Sequence, residues 1–183
     1  MGVGQSVVCG LSMGGYIAFE FWRRRRDRIR ALILANTRAD ADPPDGKKRR
    51  DEMIDMIARA GPEAVVDVML PRLLAPGTSA SEPRAVGRVR TMIRDCSAAG
   101  LVAAVAAMRD RPDSTYLLPE IDVPTLVVAG AEDALIPVDS QVALSTTIRG
   151  AKLEVVPGAG HLTPLERPAE FNRVVGAFLE SLG

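Results

Sequence analysis

Ser6-Val7-Val8-Cys9-Gly10-Leu11-Ser12-Met13-Gly14-Gly15 decides how this chain is read. The apolar residues before Gly10 have the length and β-branched content of a short strand, and Cys9 is expected to be buried in it. A serine between Gly10 and Gly14 follows, and the apolar stretch from Met13 to Trp22 starts a helix. Strand, tight turn and helix around Gly-x-Ser-x-Gly form the context of a nucleophile elbow, which holds a serine hydroxyl at the tip of a sharp turn. Ser12 is therefore the candidate nucleophile. A serine ahead of an apolar run also suits a helix cap, and the two roles can coexist.

A hydroxyl attacks poorly until a base takes its proton, and the base needs a carboxylate to fix its tautomer. The chain holds one histidine, His161, in Pro157-Gly158-Ala159-Gly160-His161, directly after the apolar run 152–156. Asp133 closes Gly130-Ala131-Glu132-Asp133, directly after the apolar run 124–130. Loops at the carboxyl ends of parallel strands share one rim of a sheet, so Ser12, Asp133 and His161 are expected to converge there. Glu132 competes with Asp133 for the acid role. Asp40 and Asp42 follow the run 30–36 and are the reserve acids, although as residues of a Pro-rich turn they are expected to be solvated.

Short apolar runs at 6–9, 30–36, 124–130 and 152–156, separated by helical patterns, imply an α/β fold with a mostly parallel sheet covered on both faces. The helix over 13–26 is apolar nearly all round and is expected to be buried. Its end, Arg23 to Arg26, reads as a solvated helix terminus, with the cations at the negative end of the dipole. Between Thr37 and Leu118 the strand signals stop. Apolar residues recur there at about 3.6-residue spacing, divided by Pro62, Pro83 and Pro112. Residues 1–36 and 119–183 therefore read as the core and 37–118 as a helical cap insertion. From Arg167 to Leu182, Phe171, Val174, Val175, Phe178, Leu179 and Leu182 form one stripe of an amphipathic helix expected to pack on the sheet.

The 183 residues are 47% hydrophobic but only 4% aromatic, so the core must be mainly aliphatic. Lys plus Arg and Asp plus Glu both number 23, which gives no global field to attract nucleic acid or an anionic membrane. The two cysteines, Cys9 and Cys96, lack the close spacing of zinc or disulfide frameworks, and a cytoplasmic setting is expected. No apolar run approaches the roughly 18 residues of a membrane span.

Cys9-Gly10-Leu11-Ser12-Met13-Gly14-Gly15, then Gly130-Ala131-Glu132-Asp133 with Ile136-Pro137, then Gly158-Ala159-Gly160-His161 with Leu165-Glu166-Arg167-Pro168, resemble the α/β-hydrolase superfamily. Within it the chain is similar to the 3-oxoadipate enol-lactonase and small carboxylesterase branch. The resemblance covers the second part of a family member: strands five to eight, the cap after strand six and the final helix. It implies that Ser12 attacks a carbonyl, His161 shuttles the proton, Asp133 orients His161, and the Met13 N–H donates to the oxyanion. It implies that Gly10 and Gly14 allow the turn to fit closely, and that neither metal nor cofactor takes part.

The implied substrate is a small ester or lactone cleaved through an acyl-enzyme. A carbon–carbon bond hydrolase, an acyltransferase or a non-catalytic remnant are the alternatives. Dehalogenase chemistry is disfavoured, because Ser12 stands where those relatives carry Asp. The family's second oxyanion donor lies in a loop after strand three, which this sequence does not contain, so low activity is expected of the chain alone. In this reading residues 6–9 form an open apolar edge, and the chain is expected to dimerise through it, to aggregate, or to be partly ordered near its start.

Overall fold

The computed structural model describes residues 4–183. Strands β1 (Ser6–Leu11), β2 (Ile29–Ala35), β3 (Thr125–Gly130) and β4 (Lys152–Val156) form one sheet in that order, and every neighbouring pair is parallel. Helix α1 (Met13–Arg25) connects β1 to β2, and α6 (Val138–Thr147) connects β3 to β4. Helices α7 (Thr163–Glu166) and α8 (Pro168–Glu180) follow β4.

Strand alternation on β2 explains its continuous apolar run. Leu32 and Leu34 pack on one side with Phe19 and Trp22 of α1, together with Leu144 and Ile148. Ala31, Ile33 and Ala35 pack on the other with Val174 and Phe178 of α8. A strand covered on both faces needs apolar side chains at even and odd positions alike. The expected α8 stripe is thus seated on the sheet, except for Leu179, which is exposed.

Two expectations for the N-terminal part are corrected. Helix α1 is not buried all round: Gly15, Ala18, Phe19 and Trp22 face the sheet, while Ile17 is 60% exposed and Met13 and Phe21 are also exposed. Residues four apart lie on one helix face, so Met13, Ile17 and Phe21 form a stripe turned away from the sheet. Cys9 is exposed rather than buried, because β1 is the outermost strand and its faces are only partly covered. The expectation of partial order near the start falls partly on residues 1–3, outside the described residues; from Val7 onward β1 runs in continuous register with β2.

Between β2 and β3 lie the helices α2 (Pro44–Leu73), α3 (Pro76–Ser81), α4 (Pro83–Arg94) and α5 (Ala98–Asp110). Helix α2 breaks at Gly61 (φ 69°, ψ −166°), just before Pro62. Pro83 opens α4 and Pro112 follows α5, as a residue without an N–H should. Cys96 sits in the turn after α4. Ile57, Val65 and Val105 join α2 to α5. Val66, Leu70, Leu74 and Val89 form a second cluster that reaches Leu162 and Leu165, beside the histidine. Among the described residues no single helix is long and apolar enough to cross a membrane.

Candidate active site

Ser12 stands between β1 and α1 with φ 53° and ψ −115°, a conformation that L-residues rarely adopt. The turn is held from several sides. The Ser12 N–H donates to the Ala35 carbonyl at 2.9 Å, and its own carbonyl accepts from Thr37 Oγ1 at 2.8 Å and from the Gly15 N–H at 2.9 Å. The hydroxyl makes no cap bond to α1 and is turned elsewhere.

The glycines divide differently from the expectation. A Cβ on Gly10 would lie 2.4 Å from the Gly14 carbonyl oxygen, so strand and helix meet there in the close approach expected. Gly14 has open space around it. The second close approach is at Gly15, where a Cβ would lie 2.3 Å from Thr37 Oγ1. One residue turns a helix by about 100°, which carries Gly14 off the packed side and Gly15 onto it.

The hydroxyl of Ser12 meets His161: Oγ lies 2.7 Å from Nε2. On the other side of the ring, Nδ1 lies 2.8 Å from Asp133 Oδ2. With a carboxylate at Nδ1, the hydrogen-bond network assigns the ring proton to that nitrogen and leaves Nε2 to accept from the serine hydroxyl. The Asp133 side chain is fully buried and that of His161 nearly so. Burial alone would raise the carboxyl pKa, but the hydrogen bond and charge of His161, the Ile136 N–H and the Asn36 amide outweigh it and hold the group below its usual range. Glu132, the competing acid, is exposed.

Two residues that sequence reasoning missed complete the frame. Asn36 is fully buried at φ 47° and donates Nδ2 to Asp133 Oδ2 at 2.9 Å, while its Oδ1 accepts from Thr163 Oγ1 at 2.8 Å. Its only sequence signal is a polar amide closing an apolar run. Glu166 is buried and accepts from the Gly160 N–H at 2.9 Å, the Leu162 N–H at 3.2 Å and the Ala75 N–H at 2.7 Å. One carboxylate therefore ties the histidine loop to the segment between α2 and α3.

Asp42 is corrected most strongly. Instead of a solvated turn residue it is a buried carboxylate bound by Arg38, by Arg50 Nε at 3.0 Å and by Arg111 Nη2 at 3.0 Å. Burial would raise its pKa; the hydrogen bonds from Arg111 and Arg50 win and lower it to about 2. Arg23 is likewise not simply solvated, since it bonds Glu20, Tyr116 Oη at 2.9 Å and Ser114 Oγ at 3.2 Å.

Met13 opens α1, and the first N–H groups of a helix have no intrahelical acceptor, so an amide there can receive a developing oxyanion. Ser12 and His161 line a cavity of about 280 Å³ together with Tyr16, Met53, Met69 and Ile136. A larger cavity of about 650 Å³ lies against the outer stripe of α1 and contains neither Ser12 nor His161.

Comparison with known proteins agrees with this architecture. A model of the alpha/beta hydrolase family matches residues 2–174. A thermophilic esterase from Thermogutta terrifontis, solved with malate bound, is 40% identical with a TM-score of 0.95 over 98% of this chain and 66% of its own. The enol-lactonase from Burkholderia xenovorans LB400 is 28% identical with a TM-score of 0.88 over 97% of this chain and 66% of its own. The 3-oxoadipate enol-lactonase 2 of Acinetobacter baylyi is 28% identical over 180 residues, 96% of this chain and 64% of that protein. The chain thus spans just under two-thirds of the length of these relatives. With the parallel sheet, the elbow and a family match over nearly all its residues, the chain belongs to the alpha/beta hydrolase family.

Proposed function

We propose that this chain hydrolyses a small carboxylic ester or lactone through an acyl-enzyme on Ser12. The observation that carries the reading is the unbroken series of Ser12 Oγ, His161 Nε2, His161 Nδ1 and Asp133 Oδ2, with contacts of 2.7 and 2.8 Å. His161 Nε2 takes the hydroxyl proton as Ser12 Oγ adds to the substrate carbonyl. The Met13 N–H donates to the oxygen that gains the charge. As the tetrahedral species collapses, the imidazolium protonates the departing alkoxide, which from a lactone stays attached through the acyl chain. Water then gives its proton to His161, adds to the acyl carbonyl, and releases Ser12 and the acid. Asp133 keeps the ring oriented and stabilises its charged form. The likeness to an esterase and to enol-lactonases supports the substrate class. Residues 37–118 act in this reading as a cap that walls the cavity from above, supported by the Leu162 N–H bonding the Leu73 carbonyl at 3.2 Å.

A fluorophosphonate probe tests the nucleophile directly. The expected result is one adduct, mapped to Ser12 by peptide mass spectrometry and lost in Ser12→Ala and His161→Ala. Labelling that is unchanged in both variants would eliminate the reading.

A further inference from the structure

The outer edge of the sheet has no part in the proposed chemistry. β1 pairs only with β2, so its other side is open among the described residues. The Ser12 N–H donates to Ala35 of β2, and backbone groups alternate along a strand. Gly10 and Val8 therefore also point to β2, while Val7, Cys9 and Leu11 turn both N–H and C=O to the open side. The side chains alternate in the same way: Val7 and Leu11 pack with the α8 cluster, Val8 packs with α1, and Cys9 is exposed. One flank of α1 lies beside this edge. Arg111 lies over the Tyr16 ring, and Arg23 bonds Ser114 and Tyr116 in the stretch leading to β3, so the Tyr16 and Arg23 flank faces inward along the sheet. At about 100° per residue, the opposite flank carries Gly14, Ile17 and Phe21. Ile17 and Phe21 are exposed, and a Cβ on Gly14 would meet nothing within 4 Å.

We infer that this face binds a second copy of the chain about a two-fold axis at Cys9, joining the two sheets into one. In an antiparallel pair centred there, Cys9 faces Cys9 of the second copy and Val7 faces its Leu11, each pair exchanging both backbone hydrogen bonds. The helix layer obeys the same axis. Cys9 lies about 10 Å along β1 from Ser12, and α1 returns that distance in about seven residues, near Phe19 and midway between Ile17 and Phe21. Ile17 of each copy thus packs on Phe21 of the other. Because α1 covers both β1 and β2, a strand spacing of about 4.8 Å puts the two helix axes about 10 Å apart, a distance at which helices pack. Charge allows the contact, since Ser6 to Phe19 contains no charged residue. Arg24 and Arg25 are already bound by Glu20 and Asp27, and the axis sets them opposite the uncharged start of the other α1 rather than opposite each other. The face is about 20 Å long and spans the α1, sheet and α8 layers, each about 10 Å thick, which is of the order of the roughly 800 Å² per partner that a stable interface buries. A second copy matches strand and helix together by symmetry, and the edge carries no charge or proline to oppose pairing.

Sedimentation velocity on the purified chain over a range of micromolar concentrations is expected to show a closed dimer. Ile17→Glu puts a charge at a position exposed in the single chain and two like charges side by side in the dimer. It should raise the dissociation constant at least about tenfold while leaving the circular dichroism spectrum in place. Cys9→Pro removes an outward N–H that the β1–β2 ladder does not use and should act likewise; if it fails to fold, Ile17→Glu decides alone. Met92→Glu, at an exposed apolar residue of α4 outside this face, leaves the dimer intact. In Cys96→Ser, oxidation with diamide should join Cys9 to Cys9 of the second copy, because opposed residues of such a pair have Cα atoms about 5.5 Å apart, within the span of a disulfide. A monomer at every concentration, polymers that grow without closing, a dimer that Ile17→Glu leaves unchanged, or a dimer whose Cys9 thiols do not join would each overturn the inference.

Discussion

Asn36 donates its side-chain amide to Asp133 Oδ2 at 2.9 Å, the same oxygen that lies 2.8 Å from His161 Nδ1. The far side of Asn36 is fixed by Thr163, so the acid is oriented by a residue from the end of β2 and another from the start of α7. Asn36→Ala and Asn36→Gly both remove the donor, and Gly also relieves the positive φ. Both are expected to lower kcat on a p-nitrophenyl ester by about tenfold, and Ala to cost roughly 1–3 kcal/mol of stability in urea unfolding. An Ala variant with full kcat would show that Asp133 needs no such support.

The backbone of Ser12 makes a second prediction. At φ 53° a Cβ is strained, and such strain costs of order 1–3 kcal/mol. Ser12→Gly and Ser12→Ala both lose the hydroxyl and its bond to His161, so their difference reports the turn alone. Ser12→Gly should be the more stable by about 1 kcal/mol, although glycine ordinarily destabilises. Calorimetric melting of the two variants decides it, and equal melting temperatures would mean that the turn is relaxed.

Gly10 and Gly14 should respond oppositely to the same methyl group. Gly10→Ala drives a Cβ to within 2.4 Å of a backbone carbonyl and should destabilise by at least about 1–3 kcal/mol. Gly14→Ala meets open space in the first turn of α1 and should stabilise by about 0.4–1 kcal/mol. Chemical denaturation of each single variant is sufficient.

Asp42 sets an acid limit. Its carboxyl pKa falls from the ordinary 3.8 of a free aspartate to about 2 in the fold, so its ion pairs contribute fully above 3.8 and are lost as pH drops towards 2. Unfolding free energy should therefore fall across that window. Asp42→Asn leaves three guanidinium groups without their shared carboxylate, and at neutral pH it should cost about 2–3 kcal/mol. The variant should also show a shallower loss of stability between those pH values. Urea midpoints measured at pH 7 and pH 3 for both proteins test the two effects together.

Much of the frame was legible along the chain because its signals are local. The runs at 6–9, 30–36, 124–130 and 152–156 fall in the four strands, the first extended to Leu11, and Ser12, Asp133 and His161 each follow one of these strands, so parallel topology brings them to one rim. The exposed stripe of α1 was not legible, since hydropathy records a side chain's character and not which neighbour covers it. Gly14 was misread for the same reason: its motif position says nothing about which side of the helix the strand approaches.

The order of residues in the chain determined the element sequence, the parallel sheet and the identity of the three chemically paired groups, because periodicity and turn chemistry act over a few neighbours. Only the tertiary structure decided that Asn36 and Glu166 support the histidine loop and that Asp42 is buried among arginines. Those contacts join residues from about 70 to more than 90 positions apart in several cases, and what sets their charge and burial is the packing of separate elements, which no local pattern encodes.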